Sequence, residues 1–267
     1  MNELALFAGA GGGLLGGKLL GWRTVCAVEW EPYPASVLCA RQNDGLLPPF
    51  PIWDDVQTFD GRPWRGIVDV VSGGFPCQDI SAAGKGDGLD GARSGMWRHM
   101  ARVVGEVRPR FVFVENSPML TTRGGTRVVG DLTEMGYDCR WTVMGAADVG
   151  ANHQRDRMWI VGQSKRSGLE GQRSQPGQQE VPESWNSGSL ADTEDKGDVW
   201  RQWVMGFAEQ EHDQGRSQTN GSRKWWEAEP NVGRVADGVA ARVDRLKAIG
   251  NGQVPLCAAT AWRILTS

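Results

Sequence analysis

Three groups of residues have types and spacings suited to chemistry. Gly73-Gly74-Phe75-Pro76-Cys77-Gln78 follows the apolar, β-branched run Ile67-Val68-Asp69-Val70-Val71. That run reads as a buried strand. Two glycines break it, and Pro76 bars a helix from starting before it. Cys77 then falls on a tight turn at the carboxyl end of a central strand, the edge where open α/β sheets bind ligands. A thiol on a stiff turn there is placed as a nucleophile. A small buried core residue is the other reading, since free Cys is among the most buried residue types. Glu115-Asn116 ends a second buried run, Arg110-Phe111-Val112-Phe113-Val114, and a carboxyl at such a strand end is a candidate acid. His153-Gln154-Arg155-Asp156-Arg157 is the third group, leading into Met158-Trp159-Ile160-Val161.

These groups need a scaffold of alternating strands and helices. Leu4-Ala5-Leu6-Phe7-Ala8 reads as the first strand, followed by Gly9-Ala10-Gly11-Gly12-Gly13 and a helix through Leu20. Strand, glycine turn, helix is the context in which a backbone approaches a ligand at a helix N-terminus. Thr24–Val28 reads as the second strand and ends in Glu29-Trp30. A carboxylate there grips ribose hydroxyls in dinucleotide-binding sheets, and a Trp offers a flat face to a purine. A surface Glu and a half-buried Trp are the plainer reading of that pair; its place one helix after the glycine turn favours a nucleoside-containing ligand. Pro34–Gln42 reads as a helix. Asp54 or Asp55 either accepts from an adenine amino group or caps a turn. Residues 81–95 form a glycine-rich loop carrying Lys85 and Arg93, read either as surface or as a lid over a polyanion. Helices are expected over Met96–Val107 and Arg127–Met135, and a strand over Asp138–Val143.

Composition narrows the class. The chain has 267 residues, 40% of them hydrophobic, enough for a substantial core, and a net charge of −3. The acidic excess lies in residues 1–150, and residues 151–267 are balanced. Docking on a nucleic acid needs only a locally basic face. The cysteines, Cys26, Cys39, Cys77, Cys139 and Cys257, are odd in number and lack a CxxC pair. Neither a metal site nor a disulfide framework is expected, and reduced thiols suit the cytoplasm. No leader and no membrane span is expected. From Gln163 to about Glu229 the chain is polar, with few aliphatics and isolated Trp residues. That composition suits either a disordered segment or a polar DNA-reading insert. The expected organisation is 1–162, 163–231 and a returning segment 232–267, whose last helix runs to about Leu265 and lies beside the first strand.

In order along nearly the whole chain, Phe7-Ala8-Gly9-Ala10-Gly11-Gly12, Glu29-Trp30, Asp54, Gly74-Phe75-Pro76-Cys77-Gln78, Glu115-Asn116, Arg155-Asp156-Arg157 and Gly250-Asn251-Gly252-Gln253-Val254-Pro255 resemble the DNA (cytosine-5) methyltransferases. The resemblance implies an α/β, Rossmann-like, S-adenosylmethionine-dependent sheet with helices on both faces, plus a small irregular target-recognition segment at 163–231. It implies that Phe7, Gly9 and Gly11 line the cofactor, Glu29 holds the ribose, Trp30 flanks the adenine and Asp54 meets its amino group, with Asn251 and Val254 closing the pocket. Cys77 would be the nucleophile, with Arg155 as its cationic neighbour and Arg157 either in support or holding a phosphate. Glu115 would hold ring nitrogen 3 of cytosine, and Asn116 would orient the base edge or the turn. Gln78, Ser81 and Lys85 would lie near the phosphates. Double-stranded DNA is the implied partner, bound by a monomer without an obligate protein partner. A tRNA cytosine-5 methyltransferase and an inactive DNA-binding relic are the competing readings; a nicotinamide dehydrogenase shares the strand-glycine-helix start but does not explain Pro76-Cys77-Gln78 or Glu115-Asn116.

Overall fold

The computed structural model describes residues 1–76, 95–165 and 242–267. Seven strands form one sheet: β1 (Asn2–Leu6), β2 (Arg23–Val28), β3 (Ile52–Trp53), β4 (Val70–Gly73), β5 (Phe111–Asn116), β6 (Tyr137–Met144) and β7 (Arg157–Ser164). Their order is β3-β2-β1-β4-β5-β7-β6. The first five in that order are parallel, and β7 runs antiparallel to both β5 and β6. The order reverses between β1 and β4, and such a reversal opens a crevice at the carboxyl ends of the strands.

Period-two alternation decides which helices cover which face. Leu4, Leu6, Cys26, Val28, Val71, Val112, Val114 and Ile160 point to one side. There they meet α3 (Met96–Val107) and α4 (Gly125–Glu134). The buried side chains of α3, Trp97, Met100, Val103, Val104 and Val107, recur at helical spacing and make one apolar stripe. The other face carries Ala5 and Ala27 under α1 (Gly12–Leu19) and α2 (Pro32–Asn43). Farther along it carries Val70, Phe111, Phe113, Trp159 and Val161. These are covered by the last helix, α6 (Pro255–Thr266), which α5 (Arg242–Asn251) precedes. Trp262 of α6 meets Trp22, Phe111 and Phe113 edge-on at centroid distances of 4.6, 5.1 and 5.4 Å. The α/β sheet with helices on both faces is therefore present as expected.

Several details differ from expectation. Ile67 and Val68 belong to a turn on Trp64, and Ile67 is exposed, so β4 starts only at Val70. Gly73 does not break that strand. It pairs with Leu6 and Val114, and a Cβ there would lie 2.7 Å from the Leu6 carbonyl oxygen. The last helix lies against α1 and packs on Val70, Phe111, Phe113, Trp159 and Val161 of β4, β5 and β7. Its approach to α1 is close: a Cβ on Gly16 would be 2.8 Å from that of Ala258. A further helix, α5, takes in Gly250 and Asn251.

Glu3 was not anticipated by any motif. It is buried in β1, accepting from the Ser72 hydroxyl at 2.6 Å and the Thr24 hydroxyl at 2.9 Å. Burial holds its carboxyl above the usual 4.5, against the pull of the two hydroxyls. A raised folded-state pKa means the folded chain binds the proton more tightly than the unfolded chain. Stability is thus fully present below about 4.5 and declines as pH rises through the folded-state value. Glu3→Gln keeps the shape and removes the charge, and either hydroxyl can turn to accept from the new amide. Calorimetric melting is expected to show a higher Tm than the parent at pH 8 and no gain near pH 4.5; a lower Tm at pH 8 would contradict this account.

Candidate active site

The crevice lies where the sheet reverses. Its walls are Phe7, Ala8 and Gly9 after β1, Gly73 and Gly74 of the β4 turn, Glu115 of β5, and Asn251, Gly252 and Gln253 from the C-terminal segment. The crevice is open to solvent. Phe7 and Arg155, two of the three non-glycine residues with positive φ among the described residues, belong to this region, at 53° and 59°. Backbone held in that conformation costs energy and concentrates at functional sites.

The β1 turn and the end of β2 are tied together. Gly9 N donates to Glu29 Oε2 at 2.6 Å, and Glu31 N donates to Glu29 Oε1 at 2.8 Å. Glu29 is buried, which raises its pKa, while the two amide donors pull it down. Each oxygen keeps a lone pair for an incoming hydroxyl. Gly11, at φ +86°, faces the other way: a Cβ there would strike Leu38 of α2 at 2.7 Å. Trp30 and Asp54 are exposed and do not line the crevice. Asp55 is a turn cap, accepting from Gln57 N at 2.8 Å. Val254, half-buried, packs against the core at the start of α6 and is not among the crevice walls, whereas Asn251 lines the crevice.

Glu115 is the buried acid of the site. Its Oε1 pairs with Arg157 Nε at 2.8 Å, because β7 runs antiparallel beside β5 and begins at Arg157. Its Oε2 faces Gln253 Nε2 at 3.3 Å. Burial lifts its pKa above the usual 4.5, and Arg157, Gln253 and Arg155 oppose that lift. The result is a carboxyl held near a cation yet easier to protonate than one in water. Asn116 is also buried; its Nδ2 donates to the Phe75 carbonyl at 3.1 Å, and its Oδ1 accepts from Ser117 N at 2.8 Å. Of its two expected roles, the geometry supports orienting the turn: it pins Phe75-Pro76 to the tip of β5. Arg155 donates from Nη2 to the carbonyls of Gly250, at 2.7 Å, and Gly252. One guanidinium nitrogen is thereby tied to the C-terminal segment. Cys77, Gln78, Ser81 and Lys85 lie outside the described residues.

Gln253 stands in the Gly250–Pro255 string, but only its neighbours had drawn a role. The available signal was a polar side chain set between a glycine and Val254-Pro255 in a segment that must return to the sheet. No group of His, Cys, Asp and Glu able to hold a metal occurs among the described residues, and no helix among them is long and apolar enough to cross a membrane.

Strand order, the crevice at its reversal, the glycine turn braced by Glu29 and the acid at the tip of β5 together define a Rossmann-like methyltransferase sheet. A family model described as C-5 cytosine-specific DNA methylase matches residues 1–248, and the chain belongs to that family. It is 33% identical over 162 residues to the type II methyltransferase M.CviJI of Paramecium bursaria Chlorella virus IL3A, covering 60% of this chain and 42% of that one. Against M.HaeII of Haemophilus aegyptius it is 33% identical over 165 residues, covering 60% and 50%. The chain thus spans about half or less of the length of these curated relatives. Among solved structures, a protein assigned as a prophage-encoded DNA modification methyltransferase (E. coli) superposes with a TM-score of 0.51 at 26% identity, over 63% of this chain and 48% of that one. The Entamoeba histolytica methyltransferase EhMeth shares the fold, with a TM-score of 0.52 at 14% identity over 61% of this chain and 52% of that one.

Proposed function

We propose that this chain transfers a methyl group from S-adenosylmethionine to carbon 5 of a cytosine in a specific site of duplex DNA, through a covalent Cys77 adduct. The observation that carries the reading is the shared crevice: the glycine turn after β1 and the buried Glu115 carboxyl form walls of one space. A methyl donor lying on the turn and a base held by the acid would meet there. Residues 1–162 and 232–267 would make the catalytic unit, which the return of α6 onto α1 supports. Residues 163–231 would read the DNA site. The chain would act as a monomer in the cytoplasm.

Carbon 5 of cytosine is a poor nucleophile. Addition of the Cys77 thiolate to carbon 6 makes the ring an enamine, nucleophilic at carbon 5. S-adenosylmethionine, when bound, supplies an electrophilic methyl on a sulfonium. Glu115, which burial makes easier to protonate, would donate to ring nitrogen 3 and offset the charge that builds there as sulfur adds. Arg157 would keep that carboxyl aimed. Transfer of the carbon 5 proton to a water molecule then expels the thiolate and restores aromaticity. The target base must first leave the duplex stack, at a cost of a few kcal/mol.

The fit for the cofactor rests on Glu29 and the Gly9 turn. Glu29→Ala is expected to raise the dissociation constant for S-adenosylmethionine about 10- to 100-fold, the worth of one charge-assisted hydrogen bond. Titration calorimetry reads it, and an unchanged constant would remove Glu29 from the site. The function itself is tested by expressing the full chain in a host without DNA methylation and sequencing its DNA after bisulfite treatment. Protected cytosines in one sequence context are the expected result. In parallel, purified chain is offered duplex DNA and tRNA with labelled methyl donor. Label on tRNA alone would reassign the substrate, and label on neither would leave a binding protein.

A further inference from the structure

We infer that Gln253 is a positioning residue: its side-chain amide fixes the Glu115 carboxyl and ties it to the glycine turn of the methyl-donor crevice. The inference rests on the function proposed above for Glu115 and goes beyond it.

A carboxyl is aimed only when both its oxygens are held. Arg157 holds Oε1 at 2.8 Å. That leaves the group free to turn about the bond it shares with this one partner, and the Gln253 amide supplies the second point at 3.3 Å on Oε2. The contact is long, of the kind that active sites shorten once a ligand is in place. Three features built from separate parts of the chain converge on it. The backbone of Gln253 occupies the space a Cβ on Gly12 would take, and its Oε1 occupies the corresponding space beside Gly13. A Cβ on Gly74 would lie 2.5 Å from Glu115 Oε2 and 3.1 Å from Gln253 Nε2, so only glycine leaves the contact clear. The segment itself is pinned from the far side, where Arg155 donates to the carbonyls of Gly250 and Gly252. Gln253 thus touches the first turn of α1, the β4 turn and the acid at once. Any shift of the glycine turn when a cofactor binds is carried through this amide to the carboxyl.

Donation to Oε2 favours the carboxylate over the acid. Loss of the donor therefore makes Glu115 hold its proton to higher pH, as does a second carboxyl placed against it. The test compares full-length parent, Gln253→Leu and Gln253→Glu. In methyl transfer, Gln253→Leu is expected to lower kcat about 10- to 100-fold, the worth of a hydrogen bond to a charged group. The kcat limb set by Glu115 is expected to move to higher pH in both variants, with KM for the methyl donor changed less than kcat. A parent-like pH profile in both would overturn the assignment, whatever happens to the rate. A second readout needs no activity: the Glu115 resonance in carboxyl-¹³C-glutamate-labelled protein, identified by its loss in Glu115→Gln. Its titration midpoint should rise in each variant that folds. An unchanged midpoint overturns the Gln253 inference even where the parent methylates DNA. A midpoint raised in the variants, with a parent that methylates nothing, upholds the contact and refutes the function instead.

Discussion

Glu115→Gln is expected to slow methyl transfer by about 10²–10⁴-fold, the range over which a positioned acid contributes, while the dissociation constant for S-adenosylmethionine stays near that of the parent. The side chain keeps its size, and its amide oxygen can still accept from Arg157. What goes is the ionisable proton. In the parent, burial raises the carboxyl's pKa and makes that proton easier to hold than on a carboxyl in water, against the pull of Arg157, Gln253 and Arg155. The parent's rate should accordingly fall as pH rises through the Glu115 value, and the variant should lose that limb. Single-turnover measurements between pH 5 and 9 decide the matter. A variant with the parent's rate would take Glu115 out of the chemistry and leave it as one half of a structural ion pair.

Cys77→Ser is expected to bring methyl transfer to background while the purified chain still binds S-adenosylmethionine and duplex DNA. A hydroxyl is a far weaker nucleophile than a thiolate at neutral pH, so the addition at carbon 6 does not begin. The thiols elsewhere sharpen the comparison. Burial pushes Cys26 up to about 11 and Cys257 up to about 12, values at which neither ionises near pH 7. No described cysteine lines the crevice. Cys39, exposed on α2, supplies the control: Cys39→Ser should transfer methyl groups at the parent's rate. Trapping with 5-fluorocytosine DNA adds a direct readout, since a fluorine at carbon 5 cannot leave as a proton and the adduct persists. An adduct formed by Cys77→Ser, or normal turnover by it, would end the nucleophile assignment.

Much of the frame is legible from local pattern. Phe111–Val114 and Val25–Val28 are short apolar runs bounded by polar residues. The buried residues of α3 recur at a spacing that permits little but a helix with one covered face. Where local chemistry and tertiary position disagree, the reading slips. Ile67 and Val68 look like strand, yet they turn on Trp64, because the ladder with β1 begins only at Glu3–Val70. The paired glycines before Phe75 look like strand breakers. Their absent side chains instead make room for Leu6 on one side and for Glu115 with Gln253 on the other.

The order of strand, glycine turn, helix and acidic strand tip was set by the chain alone, because propensity, alternation and turn chemistry act over a few neighbours. Those neighbours are enough to place Gly9, Glu29 and Glu115 at the ends of their strands. Which groups then meet across the crevice was decided only by folding. Glu115 and Gln253 are 138 positions apart, Arg155 and Gly252 97, and Glu3 and Ser72 69. No local rule orients side chains over such separations. The sheet reversal and the return of α6 bring them together, and the partners found there determine which oxygen is held, which proton is kept and which amide does the aiming.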